Sequence, residues 1–558
     1  MSRFFLQKPT WRDVLLLSFF VVFVTYQPFL LHHEIIMMET GIHLPAINAL
    51  FHGGVIYRDF FFLRGPFELY VPAFMMLIFG KNSILLPIFY YLGTVATMVG
   101  AVFLGAQLFR SRLILYLMIP ILVTRTFPWV SFYFWGGMRY ALGMFALVAF
   151  AIYVRKQKLV WLFGAGIISA LALLTTVEAG LCTILAILAA LLANLILKIE
   201  RQHSFGKLLS AYFGGLFLIG LPYFIYLIVT GALPFYLDTT FSVATRLMTV
   251  FPDLSDNHFK NVGEFFMGLV PGNRFFRYMT PVFLYLFLAG YIIRRIQTKR
   301  LNQTAVILIG IAVYGILLYI SAFRRIAGHH FEMALQPEKI LLFFLLEESF
   351  FYLRDLKLGA SLPKWKVTTI NILFVALIMS SVGYTINRLQ KRFPFISLIK
   401  QRVFHMKVKK LSLLDNVPKG TLYLEHAYGH VVPAWQEDEV KKVVTFLKEN
   451  TAPNETIFSF PEVGNFSFWV DRPFVGRFPI ATFSWLKEEW YQELLSDFKK
   501  AQPRYVVMTK LGHKTFPASW YFKYPRNSER FNEMTEFILE HYEPVESYES
   551  VAIYRRKS

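Results

Sequence analysis

Two carboxylates with basic residues close behind them are the first candidates for chemistry. Glu39 and Asp59 stand twenty residues apart in ETGIHLPAINALFHGGVIYRDFFFLRGPFELYVPAFMMLIFG, Glu39 to Gly80, where Arg58 and Arg64 flank the second acid. A carboxylate near apolar surroundings resists ionisation, which raises its pKa and makes it a better proton acceptor near neutral pH. Guanidinium groups bind phosphate bidentately and stabilise a departing one. A second basic group, Arg324, Arg325 and His330, lies in SAFRRIAGHH. Glu178, an isolated acid between two long apolar runs, is a further candidate for substrate binding. Plainer roles stand beside each of these. Glu39 also suits an acid complementing a helix N-terminus, Asp59 a partner for Arg58 or Arg64, Glu178 a water-exposed hairpin tip, and the basic group a headgroup anchor.

The segments around these residues set how they are held. Thr40 to Phe51 has the apolar spacing of a helix lying on the membrane surface, and His52-Gly53-Gly54 ends it. Phe67 to Phe79 is apolar but has only 13 residues, whereas crossing a ~30 Å hydrocarbon core takes about 20. It is expected to lie in the interface or re-enter. Thr124 to Tyr140, rich in aromatics and holding Arg125 and Arg139, reads as an aromatic belt or as a sugar or lipid platform. Leu233 to Thr280 reads as a partly amphipathic lid or a solvated connector.

Composition fixes the class. The 558 residues are 56% hydrophobic and 18% aromatic, with a mean hydropathy of +0.47, which excludes a soluble globule for the first 385 residues. The net charge of +21 is spread over loops and a tail beside apolar spans, where it meets anionic lipid, and no nucleic-acid module appears. The single cysteine, Cys182, excludes an intramolecular disulfide. The adjacent pairs His32-His33 and His329-His330 rarely aim at one ion, so no metal ligands are assigned.

Eleven spans are expected, near residues 14–31, 83–109, 113–131, 138–154, 159–177, 179–197, 208–230, 279–293, 303–322, 337–353 and 367–386. With the N-terminus cytoplasmic, the basic clusters at Arg110/Arg112, Arg155/Lys156/Lys158, Lys198/Arg201/Lys207, Arg294/Arg295 and Arg354/Lys357 all fall inside, as the positive-inside rule requires. The loop from Glu39 to Gly80 then faces outward. The basic stretch after the last span runs against this trend, and long following domains translocate largely regardless of charge.

The loop carries a family likeness. An acid after the first span, a helix ending in Gly, Tyr57-Arg58-Asp59-Phe60, Gly65-Pro66 and an apolar run closing in Phe79-Gly80 resemble type C polytopic membrane glycosyltransferases. The closest likeness is to the bacterial branch labelled dolichyl-phosphate-mannose-protein mannosyltransferase or RgtA-like. The family usually shows Asp, often Asp-Glu, where this chain has Glu39. The resemblance implies an α-helical polytopic membrane fold of about eleven spans, a first extracytoplasmic loop bearing interfacial helices, and a small C-terminal α/β soluble domain. It also implies transfer of a sugar from a polyprenyl-phosphate-linked donor, with inversion, to a lipid, glycan or protein acceptor at an inner (plasma) membrane. Glu39 and Asp59 would be catalytic, with Arg58, Arg64, Glu178, Arg324, Arg325 and His330 binding substrate. Some members need a divalent cation and others do not, so the cofactor is left open.

The chain divides into a transmembrane domain (1–387), a basic linker (388–410) and a soluble domain (411–558). In the last, helices are expected at Gln436–Glu449, Trp485–Lys500 and Asn527–His541, with strands at Thr456–Phe460 and Tyr505–Thr509 and an edge strand or hairpin at Val545–Arg555. No Gly-rich phosphate loop or nucleophile elbow is present there. Two rival functions remain: a transporter or flippase of lipid-linked glycans, and a non-catalytic scaffold of the same fold. Transporters usually show paired halves and midplane charges, and the spans hold almost none beyond Glu347 and Glu348.

Overall fold

The computed structural model describes residues 7–25, 37–126, 137–197, 199, 202–250, 262–270, 276–322, 334–355, 421–427, 430–461, 464–479, 486–510 and 525–558. Helix α1 (Trp11–Thr25) leads to two shorter helices, α2 (Met37–Phe51) and α3 (Phe67–Phe79), which frame the loop. There follow α4 (Leu85–Leu108), α5 (Arg112–Thr126), α6 (Gly137–Lys156), α7 (Leu159–Thr175), α8 (Val177–Ile196) and α9 (Phe205–Val229). After them come α10 (Leu233–Val250), α11 (Val262–Gly268), α12 (Phe276–Gln297), α13 (Gln303–Ala322) and α14 (Gln336–Asp355). Six of these, α4, α6, α8, α9, α12 and α13, are long and apolar enough to cross a membrane by length and composition. The chain is a multi-pass membrane protein. The eleventh expected span, near 367–386, lies outside the described residues.

Burial sorts the helices. The apolar windows of α4, α6 and α13 are 67% buried in the bundle, while those of α9 and α12 are 17% buried. The outer helices turn Phe217, Leu221, Phe224, Leu286 and Phe287 outward, as side chains facing hydrocarbon would be. At the face opposite the loop, Glu347 and Glu348 make a latch. Buried Glu347 accepts the backbone N–H of Arg110 at 2.9 Å and of Ser111 at 2.8 Å, just before α5, where a helix N-terminus favours an anion. Glu348 takes Arg110 at 2.6 Å and Arg295 of α12 at 2.9 Å. The two acids therefore tie α14 to α5 and α12.

On the loop side the two short helices differ. Helix α3 starts and stops at the expected residues. It buries Glu68, Leu69, Pro72, Ala73 and Met76 and exposes Phe74, Leu77, Ile78 and Phe79. It is one-sided and too short to cross. Helix α2 departs from the expectation of a helix lying on the membrane surface, because every residue from Thr40 to Asn48 is buried. Apolar residues occur all round it, which suits burial from all sides rather than a lipid-facing stripe.

The C-terminal region is a small α/β domain. A hairpin of β1 (Thr421–Ala427) and β2 (His430–Gln436) precedes α15 (Glu437–Asn450), β3 (Ile457–Phe460), α16 (Asn465–Val470) and α17 (Glu488–Ala501). Then come β4 (Tyr505–Thr509), α18 (Pro525–His541), β5 (Tyr542–Ser547) and β6 (Val551–Arg556). The sheet order is β3-β4-β6-β5, with β3 and β4 parallel and the other pairs antiparallel. Its strongly amphipathic helices cover a core of Phe458, Phe460, Leu494, Phe498, Val506, Phe531 and Ile538. Buried Glu439 accepts the N–H groups of Ser550 and Val551, fixing the β5–β6 turn against α15.

Candidate active site

The loop is built by local rules. The Gly54 N–H donates to Ala49 O at 2.9 Å and the Gly53 N–H to Leu50 O at 3.0 Å, with Gly53 at φ 84°, which is a Schellman end for α2. A closed turn follows. The Asp59 N–H donates to Val55 O at 2.9 Å, and the Val55 N–H donates to Asp59 Oδ2 at 2.8 Å. Arg58 grips both oxygens of Asp59, at 2.7 and 2.8 Å, and donates its remaining nitrogen to Thr230 O at the end of α9. The Arg58 hydrogen bond holds the Asp59 carboxyl below the usual aspartate range, with burial opposing it and the Val55 N–H assisting. Both side chains are well exposed. Tyr57 takes a left-handed φ of 68° and is buried, with its hydroxyl donating to Arg64 O at 2.8 Å.

Arg64-Gly65-Pro66 turns the chain inward. The Gly65 N–H donates to Thr175 O at 2.8 Å, and a Cβ on Gly65 would fall 2.1 Å from Leu174 O, so only glycine permits this approach to α7. Pro66 precedes α3, whose first turn carries Glu68. Arg64 Nη1 donates to Glu68 Oε2 at 2.8 Å, with side-chain exposures of 11% and 0%. His43 Nε2 lies 4.0 Å from the same oxygen, and its ring is edge-on to Phe62 and Tyr90. Glu68 Oε1 is buried without a hydrogen-bond partner among the described residues. His43 and Glu68 are not among the residues predicted from sequence. The available signal was an acid at the head of an apolar run with an arginine four residues before it, the spacing of a helical ion pair.

The start of α6 and the α7–α8 hairpin meet this loop. Glu178 sits exposed in the first turn of α8, and Thr176 caps that helix. Tyr140 of α6 lies within electrostatic reach of Arg139, Glu178 and Arg64. Of the predicted residues, Arg64 and Glu178 therefore share one neighbourhood, while Arg58 and Asp59 form their own pair beside the end of α9. Glu39 belongs to the first turn of α2, but its side chain lies outside the described residues, as do Arg324, Arg325 and His330.

The C-terminal domain sits directly on the loop. Asn48, buried in α2, donates from Nδ2 to Ser467 O and Arg472 O, both at 3.1 Å, and so caps the end of α16. Lys81 bridges Asn48 Oδ1 and Asp471. The Phe61 N–H donates to Arg477 O at 2.7 Å, and its ring joins Phe478 and Trp490 in the domain's own core. Asp238 of α10 accepts Lys487 Nζ at 2.6 Å and Trp490 Nε1 at 2.9 Å. Burial works against ionisation of Asp238 and of Asp471, but their lysine partners prevail and hold both below the usual aspartate range. Among the described residues no group of three His, Cys, Asp or Glu is placed to hold a metal ion.

A polytopic helical domain whose first loop carries short helices under a C-terminal α/β domain is an arrangement this chain shares with solved structures. The chain is similar over 97% of its length to 97% of ArnT from Cupriavidus metallidurans, solved bound to undecaprenyl phosphate, with a TM-score of 0.53 and 12% identity. It is similar over 96% of its length to 72% of the oligosaccharyltransferase AglB from Archaeoglobus fulgidus, solved with an inhibitory peptide and a dolichol-phosphate, with a TM-score of 0.51 and 12% identity. At these identities the likeness is one of fold. No protein-family model and no curated protein sequence matches the chain.

Proposed function

We propose that the protein is a membrane glycosyltransferase that moves a sugar from a polyprenyl-phosphate-linked donor to a lipid, glycan or protein acceptor, with inversion at the anomeric carbon. The observation that carries this reading is the buried Arg64–Glu68 pair in the first loop of a chain similar in fold to ArnT over 97% of its length. Departure of a lipid phosphate requires cations, and attack by a hydroxyl requires a base. In this reading Glu39 accepts the acceptor's proton, and Asp59, exposed beside Arg58, orients the acceptor. Arg58, Arg64, Arg324, Arg325 and His330 contact the carrier phosphate, and Glu178 binds the sugar. The loop and the C-terminal domain face the outside of an inner membrane, the orientation supported by the charge bias of the sequence.

The reading is tested by transfer from radiolabelled polyprenyl-phosphate sugars to added acceptors, using the purified protein in lipid. Wild type is compared with Glu39→Gln, Asp59→Asn and Arg64→Gln at matched expression. Transfer that collapses in Glu39→Gln while carrier binding persists supports the assignment. Equal activity in all variants removes these residues from the site, and carrier movement across the bilayer without transfer points to a flippase.

A further inference from the structure

Arg139 is a cation in an unusual place. It lies in the first turn of α6, where the helix dipole opposes positive charge. Its guanidinium stacks 4.8 Å from the Tyr140 ring centroid, and its Nε is buried without an acceptor among the described residues. No carboxylate among them lies within ion-pair distance of it. A buried guanidinium N–H without an acceptor gains a hydrogen bond when an oxyanion joins it.

The packing holds Arg139 rigidly at the site. A Cβ on Gly137 would fall 2.5 Å from Thr94 N, and one on Gly93 would fall 2.3 Å from Met138 N, so α6 begins in backbone contact with α4. Thr97 Oγ1 donates to Gly137 O at 3.1 Å, securing the same crossing. One turn further in, the Cβ position of Gly143 lies 3.0 Å from Thr183 Oγ1 of α8. Helices α6 and α8 start on the same side, so one turn back from these positions come Arg139 and Ala179, the neighbour of Glu178. The Gly65 N–H on Thr175 O brings Arg64 to the same hairpin. Glu178 is exposed, so solvent screens its charge, while Arg139 is half-buried with its Nε enclosed.

We propose that Arg139 is a second guanidinium of the site, beside Arg64, and that it binds a phosphate-type oxyanion. Resting on the function proposed above, that oxyanion is the phosphate of the polyprenyl carrier. Arg64 is already held by Glu68, whereas Arg139 has no carboxylate partner among the described residues and adds a second guanidinium for the anion. Its planar fork matches two phosphate oxygens, and the Tyr140 ring fixes the plane in which it presents them.

The test titrates the full-length protein in lipid nanodiscs with undecaprenyl phosphate, with neutral undecaprenol and with inorganic phosphate. Wild type, Arg139→Gln and Arg139→Lys are compared by native mass spectrometry and thermal unfolding. Arg139→Gln is expected to weaken undecaprenyl phosphate about tenfold or more and to leave undecaprenol binding unchanged. It is also expected not to lower the ligand-free melting temperature, since it removes a charge that has no carboxylate partner among the described residues. Arg139→Lys recovers part of the affinity. Equal affinity of wild type and Arg139→Gln for undecaprenyl phosphate overturns the inference and leaves the carrier reading standing. A lower ligand-free melting temperature in Arg139→Gln, with equal weakening of undecaprenol, makes the residue structural and also overturns it. A wild type that ignores undecaprenyl phosphate but is stabilised by inorganic phosphate through Arg139 supports the anion site and brings down the carrier reading instead.

Discussion

Arg64 and Glu68 stand one helical turn apart and meet at 2.8 Å, with the Glu68 side chain fully buried. Removing one partner of a buried pair leaves the other charge uncompensated, which costs about 3–5 kcal/mol. Glu68→Gln is therefore expected to lower stability in detergent by a large part of that range and to reduce sugar transfer, because Arg64 loses its anchor. The double variant Arg64→Gln, Glu68→Gln is expected to regain much of the stability but not the transfer. Chemical denaturation and initial-rate measurements on the two variants check this, and full transfer by Glu68→Gln would detach the pair from the reaction.

Gly65 tests whether the position of Arg64 matters apart from its charge. An alanine there puts Cβ against the Leu174 carbonyl, backbone that can yield only by moving α7 or the loop. Gly65→Ala is expected to destabilise by roughly 1–3 kcal/mol and to raise KM or lower kcat although every charged residue is retained. A variant with unchanged kinetics would show that the loop tolerates displacement.

Asn48 tests the seat of the C-terminal domain. Its Nδ2 group satisfies two backbone carbonyls at the end of α16, and leaving buried acceptors unmade costs about 1–3 kcal/mol. Asn48→Ala is expected to speed hydrogen exchange in residues 465–479 while leaving α4 and α6 protected. Uniform loss of protection across the protein would mean instead that the two parts unfold as one.

The docking surface should also respond to acid. Asp238 and Asp471 have folded pKa values below the ordinary 3.8, so their contribution is fully present above 3.8 and is lost as pH falls through the lower folded values. Both side chains are about half exposed, so solvent keeps the effect modest. Exchange in residues 465–479 is expected to rise as pH drops below 3.8, after correction for intrinsic rates, and to rise less in Asp238→Asn. Tighter docking on acidification would contradict the sign.

Much of the architecture is local and was legible. The six described helices long and apolar enough to cross a membrane, of the eleven spans expected, and the boundaries of α3 follow from runs of apolar residues and from what ends them. Helices α15, α17 and α18 and strands β3, β4 and β6 follow from periods of 3.6 and 2, whereas the six-residue α16 is too short to show one. The end of α2 at Gly53 follows from a backbone conformation that glycine adopts most readily. The sequence by itself thus determined a multi-pass helical protein with a polar first loop and an α/β tail, because length, hydropathy and periodicity act over a few turns of chain.

Tertiary structure decided which polar residues meet. Asn48 and Ser467 are separated by 419 residues and Tyr57 and Arg477 by 420, distances over which no periodic signal reaches. Helix α2 has the composition of a membrane-surface helix, but it became an enclosed one because the C-terminal domain covers its remaining side. Asp59 and Arg58 satisfy each other at the turn, whereas Glu68, one residue into an apolar run, is buried against Arg64 and His43. Burial and pairing depend on what the rest of the chain places around a side chain, and only the folded molecule supplies that.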